Sequence, residues 1–198
     1  MFPSSRGSGP YEVAVAAGLL DDYLDLCSDL GVSVVETGAG FTDPAVEPED
    51  MTAAARSRGL RVRFELGRKD EGPYDAGRVT ELRATGRRWL AAGAEAVVIE
   101  ARESARGIGI FDTDGRLDVA TARVLLDEFG EDKVYFEAPD KASQFSLLRA
   151  LGPRVQLSNV RLEEILRVEI FRHGLHADAF AEPHLRPSGV TTASGRLQ

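Results

Sequence analysis

The feature that most constrains the fold is a recurrence of short β-branched runs, at residues 32–36, 62–66, 96–100, 133–137 and 155–158. Each is followed by a longer stretch whose apolar residues recur at three- and four-residue steps, which predicts successive βα units. Helices are expected over residues 17–30, 46–58, 76–92, 117–129, 140–151 and 160–173, with Asp118 and Gly130 near the start and stop of one of them. The runs are nearly continuous in apolar character, so the strands should be parallel and covered by helices. A barrel and a doubly wound sheet both satisfy that pattern. The doubly wound sheet is disfavoured, because no Gly-x-Gly-x-x-Gly follows the first strand and Gly107-Ile108-Gly109 lies well past the third.

Glutamate stands at or next to the end of four of the five runs, at Glu36, Glu65, Glu100 and Glu137, with spacings of 29, 35 and 37 residues that are each one βα unit. The fifth ends in Ser158-Asn159. In a parallel α/β barrel the C-terminal strand ends share one rim, where active sites are built, so these carboxylates are expected to converge. Converging carboxylates repel unless a cation, a proton or a basic side chain intervenes, and such rings often hold Mg2+. Basic residues follow closely: Arg68 and Lys69 after Glu65, Arg102 and Arg106 after Glu100, Lys141 after Glu137. A single glutamate of this kind could equally pair with a neighbour or cap the next helix; the repetition favours the rim. Residues 100–112 combine charges, glycines and an apolar pair, as an ordered anion-binding loop does, since arginine forks and glycine N–H groups both suit phosphate, carboxylate or sulfite oxygens. An exposed salt-bridged loop is the plainer alternative.

The balance of 32 acidic against 24 basic residues, a net charge of -8, leaves no general attraction for nucleic acid or an anionic membrane. Any anionic ligand must therefore meet a local cationic pocket. Cys27 is the one cysteine, so no intrachain disulfide forms, and its apolar neighbours suit a buried thiol. No apolar run of membrane length and no signal peptide is evident, so a cytoplasmic location is expected. His173 and His176 suit a helix C-terminus better than a zinc site, and no Gly-x-Ser-x-Gly is present. Residues 1–10 and 182–198 are rich in turn-forming types and are expected to be loose, which leaves a domain over residues 11–181.

Longer motifs carry a resemblance. The run Val97-Val98-Ile99-Glu100-Ala101-Arg102-Glu103-Ser104 with Gly107-Ile108-Gly109-Ile110-Phe111-Asp112, then Phe136-Glu137-Ala138-Pro139, then Leu157-Ser158-Asn159, resembles the phosphosulfolactate synthase family. The ending Glu169-Ile170-Phe171-Arg172-His173-Gly174-Leu175-His176-Ala177-Asp178 is similar too, with histidines in place of arginines. The resemblance implies a (β/α)8 barrel that, with Mg2+, adds sulfite to phosphoenolpyruvate on the route to coenzyme M; plant heat-stress-associated proteins share the family. It further implies Lys69, Arg102 and Glu137 as catalytic residues, with Lys69 as general acid and Glu137 a supporting polar group. Arg68, Arg106, Ser158 and Asn159 become substrate-binding residues, and Glu65 and Glu100 the carboxylates on the metal side.

By the same likeness the five strands correspond to the fourth to eighth of the barrel, so the fold expected is an α/β TIM-type barrel with about five of eight units. Phe2-Pro3-Ser4-Ser5 reads as the end of the third strand, and Ala39 stands where the family has aspartate. Five strands without closure leave two edges and an open interior, which a homo-oligomer or another partner is expected to cover unless the encoded protein extends upstream of Met1. Three functions follow. One is a synthase acting on small anionic substrates. The second is a non-catalytic binding or stress-associated relative, and the third keeps the enolate chemistry with another nucleophile or acceptor.

Overall fold

The expected alternation is present, with different boundaries at the N-terminal end. In the computed structural model, which describes residues 8–43, 46–179 and 182–185, helices α1 (Gly9–Ala16) and α2 (Leu20–Asp29) precede strand β1 (Val34–Gly38). There follow α3 (Pro48–Arg56), β2 (Arg61–Leu66), α4 (Ala76–Ala91), β3 (Ala96–Ile99), α5 (Val119–Phe129), β4 (Val134–Glu137), α6 (Lys141–Leu151), β5 (Gln156–Ser158) and α7 (Ile165–Arg172). Residues 8–10, expected to be loose, instead begin α1: Ser8 is buried and Pro10 sits in the first turn, where its missing N–H loses no helical bond. The helix expected over 17–30 starts only at Leu20, after Gly18 turns the chain with a φ of 69°. Residues 1–7, including Phe2-Pro3-Ser4-Ser5, and residues 186–198 lie outside the described residues.

Carboxylate caps start the later helices. Asp75, Asp118 and Asp140 each accept the backbone N–H three residues on, and Gly130 and Gly152, at φ 85° and 95°, stop α5 and α6. Among the described residues no helix is long and apolar enough to cross a membrane.

All strand pairs are parallel, in the order β1-β2-β3-β4-β5. The order never reverses, as it does at the switch point of a doubly wound sheet. Pairing sorts the side chains into two faces. Val62, Phe64, Leu66, Val97, Ile99, Val134 and Phe136 join the apolar core beneath the helices, where Phe64 stacks on Trp89 at 4.2 Å between ring centroids. Gly86 lets α4 approach α5, since a Cβ there would lie 2.5 Å from the Phe129 ring.

The opposite face corrects the expectation of continuously apolar strands. The register places Arg63 beside Glu36, Tyr135 beside Val98 and Gln156 beside Tyr135, so alternate positions are largely polar. Arg63 ion-pairs with Glu95 at 3.1 Å and its guanidinium lies 4.1 Å from the centre of the Tyr135 ring. The first strand also begins two residues later than expected. Val32 is taken up by the end of α2, where its N–H donates to the Cys27 carbonyl at 3.0 Å after Gly31 turns with φ 70°. Glu36 therefore pairs in register with Arg63, and Gly38 pairs with Glu65. It lies one pleat below the strand ends, not on the rim.

Candidate active site

Three of the four strand-end glutamates meet. Glu65 is the penultimate residue of β2, Glu137 the last of β4, and Glu100 follows β3 directly, its N–H still donating to the Leu66 carbonyl at 3.0 Å. All three belong to the same side of the sheet, and Glu65 and Glu100 are each only 1% exposed. Lys69 reaches back from the loop after β2, placing Nζ 3.5 Å from Glu65 Oε1 and 3.8 Å from Glu100 Oε2.

Three buried carboxylates around one ammonium cannot all ionise at neutral pH. Burial first, then the neighbouring Glu100, pushes Glu65 up to about 9, with Lys69 opposing. Burial and the Glu100 charge likewise push Glu137 up to about 8, although the Ala101 N–H pulls against them. Burial would raise Glu100 too, but hydrogen bonds from its two neighbours and the Lys69 charge hold it below the ordinary carboxylate range. Burial disfavours the Lys69 ammonium, yet the surrounding carboxylates outweigh it and raise its pKa. Burial and mutual repulsion thus favour the protonated forms of Glu65 and Glu137 beside a charged Glu100 and Lys69. Glu65 Oε2 and Glu100 Oε2 remain buried without a hydrogen-bond partner, and a shared proton or a hard cation would satisfy either.

Residues 100–112 form an ordered loop above this cluster. Arg102 sits in the left-handed region at φ 56°, a conformation held because its N–H donates to Glu100 Oε1 at 2.5 Å and to Glu137 Oε2 at 3.0 Å. The Ala101 N–H adds a bond to Glu137 Oε2 at 2.9 Å, and Asn159 Nδ2 donates to the Arg102 carbonyl at 3.3 Å. Farther along, Ile108 and Phe111 bridge, as do Phe111 and Leu117, and Gly109 docks on Pro73. Arg102, Arg106, Ser104, Gly107, Lys69 and Phe41, with the carboxylates Glu71 and Glu103, line a cavity of about 550 Å³. Among the described residues neither the Arg102 nor the Arg106 guanidinium has an ion-pair or hydrogen-bond partner, although most arginines of this chain do.

Other expected residues lie elsewhere. Arg68 is not among the residues lining this cavity and binds Asp43 at 2.7 Å and Asp70 at 3.2 Å. Lys141 pairs with Asp178 at 2.9 Å. Ser158 and Asn159 line a second cavity of about 420 Å³ on the polar face of the sheet, together with Glu36, Arg63 and Gln156. Two residues near the site escape a reading of strand ends. Phe41 forms part of the first cavity's wall, and Glu12 of α1, 3% exposed, holds the loop that carries it. Burial opposes the Glu12 charge, but donors from Phe41, Thr42 and Ser8 prevail and keep its pKa low. The sequence signal for Glu12 is one carboxylate inside the otherwise apolar stretch Tyr11–Ala17.

Comparison with known proteins agrees with the motifs that run through this site. Residues 4–178 match the family model described as (2R)-phospho-3-sulfolactate synthase (ComA). The phosphosulfolactate synthase of Methanocaldococcus jannaschii is 33% identical over 181 residues, covering 89% of this chain and 70% of that protein. The enzyme of the same name from Methanothermobacter thermautotrophicus is 32% identical over 188 residues, covering 90% and 70%. That of Bacillus subtilis is 28% identical over 185 residues, covering 88% and 69%. Among solved structures, the phospho-2-dehydro-3-deoxyheptonate aldolase (DAHP synthase) of Thermotoga maritima aligns with 71% of this chain and 37% of its own, at 17% identity and a TM-score of 0.36, a likeness too low to bear on fold or function. The family model spans both the carboxylate cluster and the arginine loop, and with these relatives it shows that the chain belongs to the phosphosulfolactate synthase family.

Proposed function

We propose that this chain adds sulfite to phosphoenolpyruvate to form phosphosulfolactate. The observation that carries the reading is that Lys69, set against Glu65 and Glu100, lines one cavity with Arg102 and Arg106, whose guanidiniums pair with no described residue. An anionic substrate is drawn to those arginines in a protein that otherwise repels anions. The sulfur lone pair of sulfite attacks the methylene carbon, and the π electrons move towards the carboxylate as an ene-diolate. Arg102 meets that growing charge, and Lys69 delivers a proton to the carbon bearing the phosphate. No bond to phosphorus breaks.

The buried orphan oxygens of Glu65 and Glu100 suit a hard cation. Among the described residues no group of three or more His, Cys, Asp and Glu is arranged to hold a metal, but Mg2+ commonly takes one or two carboxylates and completes its shell with water and substrate. When bound, Mg2+ would supply positive charge for the substrate oxygens. Glu137, which accepts both the Ala101 and Arg102 N–H groups, acts by holding the arginine loop.

The architecture belongs to the same proposal. Parallel strands in sequential order, together with family membership, support five units of a TIM-type barrel, its open side covered by a second copy or a partner. Incubation of folded protein with phosphoenolpyruvate, sulfite and Mg2+ is expected to yield phosphosulfolactate by mass spectrometry. No product from folded protein would reject the reading in favour of a non-catalytic relative.

A further inference from the structure

The Glu12 carboxylate is saturated, and four of its five donors come from one loop. Oε1 accepts the Gly40 N–H at 3.0 Å and lies 3.1 Å from the Ser8 hydroxyl, which Glu65 Oε1 shares at 3.3 Å, while Oε2 accepts the Phe41 N–H at 2.9 Å, the Thr42 N–H at 2.7 Å and the Thr42 hydroxyl at 2.9 Å. Five donors use the lone-pair capacity of a carboxylate fully and leave it nothing to offer a ligand. The other side of residues 40–42 faces Lys69 at three points. The Gly40 carbonyl accepts the Lys69 N–H at 3.0 Å. The lysine stem passes directly over Gly40, where a Cβ would lie 3.0 Å from Lys69 Cε and 3.3 Å from Cγ. The Phe41 ring centre is 5.4 Å from Lys69 Nζ, within cation–π range.

We propose that Glu12 is a positioning residue: it fixes the loop at residues 40–42 from behind, and that loop sets backbone, stem and ammonium of Lys69 over the glutamates. The arginine wall of the cavity is held differently, through Glu100, Glu137 and Asn159. Loosening Glu12 should thus disturb Lys69 and spare anion capture.

The test compares E12Q, whose amide turns donors towards donors, with the milder T42V, which removes one hydroxyl donor. Amide exchange at Lys69 is expected to quicken about tenfold in E12Q and severalfold in T42V, with β3 amides unchanged. The kinetic arm rests on the proposed synthase activity. Per folded molecule, kcat of E12Q should fall on the order of 100-fold, as for a misplaced catalytic group, while KM for phosphoenolpyruvate moves less than about twofold. A Lys69 amide that keeps its protection in the variants, or a KM that rises as far as kcat falls, would overturn the proposal. If E12Q does not fold, T42V decides alone. A parent protein that makes no phosphosulfolactate removes the synthase reading, and the exchange measurement still decides the role of Glu12.

Discussion

Replacing Glu65 with glutamine tests the protonation state of the carboxylate cluster. Glu65 and Glu137 rise from 4.5 to about 9 and about 8 in the folded chain. Between roughly pH 5.5 and 7.5 both carry a proton when folded and neither does when unfolded. The folded state thus binds more protons, and stability must fall as pH rises, by about 1.4 kcal/mol per pH unit for each such group and about 2.7 for the two. Groups held below their ordinary values, including Glu12, Glu100 and Asp118, contribute stability that is lost only as pH falls below about 4.5, so they do not bend this window. E65Q keeps the neutral shape and removes one titration. Its slope should drop to about 1.4 kcal/mol per pH unit, leaving it more stable than the parent by on the order of 2–4 kcal/mol at pH 7.5. Urea titrations in EDTA buffers at several pH values measure this. The emission of Trp89, which stacks on Phe64 in the core, serves as the probe. Equal slopes in parent and variant would refute the two-proton description.

Three further outcomes are expected. Calorimetry of Mg2+ with phosphoenolpyruvate near pH 7.5, repeated in buffers of different ionisation heat, should report net proton release, because a cation at Glu65 and Glu100 must displace a proton; heats independent of buffer would argue against those ligands. R102A and R106A should each weaken phosphoenolpyruvate binding by about 10- to 100-fold with little change in Tm, since neither guanidinium has a partner to lose among the described residues; a large fall in Tm would show a structural role. G109A places a methyl 2.5 Å from the Glu100 carbonyl oxygen at a φ of 62°, and should destabilise the chain by about 2 kcal/mol or more in a denaturant titration.

Most of the strand and helix pattern was legible because each unit announces itself locally. Asp118 and Gly130 bound α5 where their chemistry says they should. The failures arose where a local signal competes with a longer-range one. Val32 has the composition of a strand residue, yet its N–H completes the end of α2, and the two-residue delay moves Glu36 off the rim. Arg68 and Lys69 are adjacent and both basic, but Asp43 and Asp70 claim the first while Glu65 and Glu100 claim the second. Sequence order carries no trace of that choice. Glu12 escaped because its partners, residues 40–42, lie 28 to 30 positions away.

The cluster also shows why a site can be distinguished from a salt-bridge network. A rim built only for stability would place apolar or fully paired side chains at residues 65, 100 and 137, since burying an unsatisfied polar atom is unfavourable by about 1–3 kcal/mol. Glu128, meeting both Arg83 and Arg87, and Glu12, meeting five donors, follow that rule, whereas Arg167 Nε is a third buried atom without a hydrogen-bond partner. At the strand ends Glu65 Oε2 and Glu100 Oε2 lack a hydrogen-bond partner, the second meeting only Lys69 Nζ at 3.8 Å, while the Arg102 and Arg106 guanidiniums pair with no described residue. Direct pairing of those arginines with the glutamates would satisfy both. The Arg102 backbone, held at φ 56° by the very carboxylates its side chain could neutralise, joins the guanidinium to the cavity wall instead. Exposed guanidiniums without a protein partner on the cavity wall, and buried acceptors next to Lys69, are what an anion and a cation bound together would complete.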